Sequence, residues 1–130
     1  MPGRQNYPQE YVDYCQQQIE SQISEMRDMP PVPTAFAQRM AAHLVIVMDA
    51  CFSQRVRGVD GPDGNPLDEV RVLSHSLMQG STVLEDSSVT WEPAKLVLGL
   101  EIDDEIALSV KDVDRLQQAF FAEMNDKHAV

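Results

Sequence analysis

Residues 100–109 read LEIDDEIALS and set Glu101, Asp103, Asp104 and Glu105 among apolar neighbours. Carboxylates at this density could offer several oxygen ligands to a divalent cation. On an extended backbone, however, alternation sends Glu101, Asp103 and Glu105 to one side and Asp104 to the other, so the spacing alone encodes no ligand sphere. The plainer reading is a polar connection: Ile102, Ile106 and Leu108 tie it to the core, and the acids face water. A second oxygen-rich stretch, DGPDGN at 60–65, carries Asp60, Asp63 and Asn65 with Glu69 following. Calcium loops of the helix–loop–helix kind place ligands at positions one, three and five, with glycine at six and glutamate at twelve. That pattern is not met, and turn chemistry before a helix is the better account.

Histidines give no stronger signal. His43 and Asp49 are six apart on one helical pattern, as are Glu69 and His75, which is the wrong spacing to bring two ligands onto one face. HExxH and ExxH are absent, against a zincin or a ferritin-like metal centre. His43 reads as a core or interface histidine, and His128 as part of a frayed tail. The sequence contains no GxSxG, GxxxxGK[ST] or GxGxxG, so neither a nucleophile elbow nor a phosphate cradle is indicated. Cys15 and Cys51, the only cysteines, sit in separate helical patterns and read as reduced, small apolar residues. No catalytic residue, metal or cofactor is expected.

Charge excludes more than the motifs do. The 130 residues include 21 acids and 10 bases, a net charge of −11, and nucleic-acid affinity depends on Lys and Arg displacing counterions from phosphates. Nucleic acid and anionic lipid are therefore unsuitable partners. Residues 81–109 hold seven acids and one base, whereas residues 34–58 hold three arginines, Arg39, Arg55 and Arg57, and one aspartate. That asymmetry could orient a basic partner or a second copy. The longest apolar stretch, HLVIVMDACF, is far shorter than the ~20 residues a membrane span requires, and the start shows no export signal. The expectation is a cytoplasmic protein.

These side chains must be positioned by helices. Residues 9–28 place Val12, Cys15, Ile19, Ile23 and Met26 at steps of three and four, one stripe of an amphipathic helix. MPPVP then stops it, because proline lacks the amide donor and restricts the residue before it. Thr34 is a suitable cap for a second helix running to Gly58, apolar nearly all round at its centre and hence a bundle core or an interface. Asn65, Pro66 and Asp68 predict a third helix start, with Leu67, Val70, Leu73 and Leu77 as its stripe and Gly80 as its stop. PAKLVLG at 93–99 suggests a short helix, with a strand over 98–102 as the alternative. Ser109 and Asp112 form a capping-box pattern before a helix from 110 to about 126, with Val113, Leu116, Ala119, Phe120 and Met124 on one face. Phe121 lies beside that face, to widen the core or meet a partner.

The expected fold is mainly α: a small bundle of three longer helices plus a short one, with an irregular or minor β segment at 81–108. Residues 1–33 would form a helical arm and proline-rich linker, and 34–130 the helical core, within one domain overall. The expected function is that of a non-enzymatic accessory or interaction protein, a homo-oligomer or a small subunit of a larger complex. Its contacts would come from Val12, Ile19, Ile23, Met26 and Phe121, with orientation from Glu101, Asp103, Asp104 and Glu105. On that view, deleting residues 1–28 would alter assembly more than folding. The alternative is a small enzyme or divalent-metal binder using 101–105.

Overall fold

The computed structural model describes residues 6–52, 65–85 and 91–130. Among these, the chain forms four α-helices, α1 (Gln9–Asp28), α2 (Thr34–Cys51), α3 (Pro66–Met78) and α4 (Val110–Lys127), and one 3-10 turn at Pro93–Lys95. This is a small helical bundle, as the hydrophobic spacing predicts.

The helix ends follow local chemistry. The Asn65 side chain accepts the Asp68 amide at 3.0 Å, and Ser109 and Asp112 complete a reciprocal capping box at 3.1 and 3.0 Å. Each cap satisfies an amide that the first helical turn leaves unpaired. Gly80 closes α3 at φ +78°, where its amide reaches the Leu77 carbonyl and that of Ser81 reaches Ser76. Thr34, however, is the first residue of α2 and caps nothing: Pro33 takes the cap position with no side-chain bond. Two consecutive amides, Phe36 and Ala37, bond to the Pro33 carbonyl instead. The expected extension of α2 to Gly58, like Asp60, Asp63, Arg55 and Arg57, lies outside the described residues.

α1 docks against α4 and touches α2 only slightly. Its stripe of Val12, Cys15, Ile19 and Ile23 is buried in the same core as Ala41, Val45, Met48, Val70, Leu73, Val113 and Leu116. α1 is thus held down by the chain itself. Both ends of the chain reinforce this: the Tyr7 amide donates to the His128 carbonyl at 2.6 Å and the Val130 amide returns to Tyr7 at 3.0 Å. His128 is consequently buried rather than frayed.

Phe52, just past α2, is the hub of an aromatic cluster. Tyr7, Tyr11, Phe120 and Phe121 lie around it at centroid distances of 5.0, 5.6, 5.8 and 6.0 Å. The pairs with Tyr7, Tyr11 and Phe121 meet edge to face, a geometry that adds about 0.5–1.5 kcal/mol each beyond the burial of the rings. Phe121 and Phe120 meet at 5.1 Å, nearly perpendicular, so both adjacent phenylalanines are core residues.

The segment leading into α4 is irregular. A single antiparallel bridge joins Val83 to Glu105, flanked by bonds from Leu84 to Asp104 and from Ile106 to Thr82. No β-strand occurs among the described residues. The short helix expected at 93–99 shrinks to one 3-10 turn because the backbone after it is recruited elsewhere: Glu69 accepts the Val97 and Leu98 amides, both at 2.9 Å, and Arg115 donates to the Val97 carbonyl at 2.7 Å.

Candidate interaction groove

Because α1 leans on α4 and the prolines between α1 and α2 hold the connection extended, the two helices leave a groove between them. It is lined by Gln22 and Met26 of α1 and by Met40, His43, Leu44 and Val47 of α2, with a volume of about 250 Å³. Phe36, Met40, Leu44 and Val47 follow one another at helical spacing along α2. Leu44 is buried at the floor, while Val47 and Phe36 remain 47% and 43% exposed. Met29 and Val32 extend the apolar surface beyond the end of α1.

The chemistry of this surface suits docking. Methionines repack around a partner's side chains at little cost, and Gln22 and His43 offer hydrogen bonds at the rim. The lining includes no carboxylate, thiol or hydroxyl, so it assembles neither a nucleophile nor a metal sphere. Electrostatics also distinguish α2: it carries one arginine and one aspartate, whereas α1 carries five acids against one arginine.

The residues singled out from sequence divide into three groups. Val12, Ile19, Ile23 and Phe121 are buried in the core of the bundle. Met26 is half-buried and lines the groove. Glu101, Asp103, Asp104 and Glu105 are exposed on a tight turn at the opposite end of the sequence. Asp103 there adopts φ +76°, the left-handed region that glycine and asparagine favour. The Asp104 carboxylate folds back on its own turn to accept the Glu101 amide at 2.9 Å. Among the described residues, no group of three or more His, Cys, Asp or Glu side chains could hold a metal ion.

The outer stripe of α2 was hidden in the sequence because Phe36 and Met40 share the spacing of core residues. The signal was the apolar circumference of α2: one helix cannot bury every side of itself in a four-helix bundle of this size. The fold also brings together residues that sequence treats separately. The Tyr11 hydroxyl donates to the Cys51 carbonyl at 2.6 Å, joining the first turns of α1 to the last residue of α2. Burial, reinforced by Cys15, holds the Tyr11 hydroxyl well above its ordinary pKa. Both thiols are free.

No family model matches the chain, and no curated protein or solved structure matches it. Among the described residues, no helix is long and apolar enough to cross a membrane.

Proposed function

We propose that this is a non-enzymatic, cytoplasmic accessory protein that works through protein–protein contact, and that the groove between α1 and α2 is where a second copy of the chain docks. The observation that carries this reading is the outer face of α2, where exposed Phe36 and Val47 flank half-buried Met40 in an apolar stripe on a helix with balanced charge. At a net charge of −11 per chain, most faces of two copies repel each other. α2 is the helix on which apolar area and absence of net charge coincide, so an α2-to-α2 packing buries the stripe without stacking like charges. Such a contact is self-complementary about a two-fold axis, the commonest arrangement of homo-oligomers. The acidic turn at 101–105 then remains in solvent, where it keeps the pair soluble and is open to a basic partner; nucleic acid is disfavoured by the same charge.

Light scattering after size exclusion, combined with sedimentation, tests this reading. Wild-type protein is expected at twice the chain mass of 14.6 kDa, and Val47→Glu or Phe36→Glu at one chain mass with unchanged helical circular dichroism. Either side chain is exposed enough to accept a carboxylate in the isolated chain. A wild-type protein that stays monomeric at high micromolar concentration overturns self-association; dimers that survive both substitutions place the interface elsewhere.

A further inference from the structure

Among the described residues that line the groove between α1 and α2, His43 is the one ionisable side chain. It is exposed in the single chain. The apolar stripe of α2 has its exposed ends at Phe36 and Val47, so its midpoint falls between residues 41 and 42, and His43 lies within two residues of it. A two-fold axis through that midpoint sets the two copies of His43 within one helical turn of each other, whether the paired α2 helices run parallel or antiparallel.

We propose that His43 is a proton switch on self-association through α2: neutral imidazoles pack into the seam between two copies, and their protonation on mild acidification separates the chains. The proposal rests on the docking of a second copy at this groove and adds the condition that ends it. Imidazole is the side chain that ordinarily changes charge between about pH 5 and 8. When neutral, it carries one donor and one acceptor and can be covered by the second copy's Met40. When protonated, it would be a desolvated cation beside a like cation in an apolar seam, and both burial and repulsion oppose that state.

The neighbouring charges do not offset this. On α2, Arg39 stands one turn before His43 on the same side, so a two-fold pair adds two guanidinium groups to the two imidazolium groups. Asp49, the acid of α2, is six residues later and about 120° round the helix. On α1, Gln22 and Met26 face the groove; Glu25, three residues after Gln22, is an exposed acid at the outer rim, where solvent screens its attraction. α3 and α4 also pack against α2, whose buried side carries Ala41, Val45 and Met48, away from His43. Protonation therefore favours the separated chains. Association is complete at neutral pH and is lost as pH falls through the range in which imidazoles charge. With two protons taken up per dimer, the dissociation constant rises by up to about a hundredfold per pH unit.

Sedimentation of the full chain at about pH 7.5 and about pH 5.5, on either side of that range, tests the switch. Both conditions lie above the chain's pI of about 4.4, and helical circular dichroism at each checks the fold. Wild type should be dimeric at the higher pH and monomeric at the lower. His43→Gln, neutral throughout, should be dimeric at both, and His43→Lys, charged throughout, monomeric at both. The exposure of His43 allows either variant to fold. Acid also lowers the net negative charge of every copy, an effect that His43→Gln shares and that therefore cancels in the comparison. A wild-type dimer that persists at the lower pH overturns the switch and leaves the docking standing. So does a His43→Gln dimer that dissociates as the wild type does, or a His43→Lys dimer. Wild type that is monomeric at the higher pH overturns the docking and the switch together.

Discussion

Glu69 on α3 and Leu98, 29 residues later in the chain, are joined by a bond of 2.9 Å from the Leu98 amide to the glutamate carboxylate. The other carboxylate oxygen accepts the Val97 amide at the same distance, and Arg115 of α4 holds the Val97 carbonyl. Two helices thereby clamp a loop that has no strand or helix partner of its own. A buried carboxylate is tolerable here because two backbone amides supply the donors that water would otherwise provide. Glu69 is 1% exposed, and its role is to fix the approach to the acidic turn.

Replacing Glu69 by alanine should cost about 2 kcal/mol, the worth of two charge-assisted bonds less the relief from burying a charge. Urea unfolding measures it, and a loss within error of zero would show that the loop is held by Arg115 and its apolar residues alone.

The same residue gives a signed pH effect. Burial raises the Glu69 pKa above 4.5, and the amides of Leu98 and Val97 with the Arg115 charge oppose this only in part. A raised folded value means that the folded state binds the proton more tightly than the unfolded chain does. The contribution is therefore fullest below 4.5 and declines as pH rises through the folded value. Relative to Glu69→Gln, wild type should lose stability over that interval; a difference constant with pH would contradict the assignment.

Asp114 should behave in the opposite sense. Burial pushes its pKa up, but hydrogen bonds from Gln117, Arg27 and Gln118 and the Arg27 charge prevail and hold it below 3.8. Its stabilisation is present above 3.8 and is lost as pH falls through the lower folded value. The Arg27 partner at 2.5 Å is 52% exposed, so solvent screening limits Asp114→Asn to about 0.5–1 kcal/mol at neutral pH. Added salt should shrink that difference; a cost that is larger and insensitive to salt would assign the effect to Gln117 rather than to the ion pair.

Legibility from sequence followed the range of the interactions. Caps at Asn65 and Ser109, the stop at Gly80 and the buried stripes of α1 and α4 depend on neighbours within a few residues, and spacing exposes them. The Glu69 clamp, the bond from Tyr11 to the Cys51 carbonyl and the tie between Tyr7 and His128 depend on chain reversals that no local pattern encodes. The stripe of α1 shows the boundary between the two. Periodicity identifies which side of the helix is apolar, but only the position of α4 determines that this side faces inward.

Asp103 offers a test of the acidic turn. At φ +76°, a glycine would occupy the same backbone without steric cost, and Asp103→Gly should stabilise the chain by about 0.5–1 kcal/mol. It would also remove one charge from the turn, which relieves repulsion among its neighbours. A marked destabilisation, measured by thermal or urea unfolding, would mean that the Asp103 side chain makes a contact the turn depends on.

The sharpest prediction concerns α1. If it were an arm for assembly, deleting residues 1–28 would leave a folded remainder with altered mass. In the structure, Val12, Cys15, Ile19 and Ile23 are within 2% of complete burial, and the first turn of α1 is tied to the chain's end through Tyr7, Gln9 and Val130. Removing the helix would uncover the α4 face around Val113, Leu116 and Phe120 and dismantle half of the aromatic cluster around Phe52. Each large apolar side chain left without its cover forfeits about 1.5–3 kcal/mol, and a few such losses exceed the 5–15 kcal/mol stability typical of a whole domain. The truncated chain should therefore show no cooperative thermal transition. The milder Ile19→Ala should fold, with a loss of about 2–5 kcal/mol. A truncated chain that keeps a sharp transition would return α1 to the role of a separable arm.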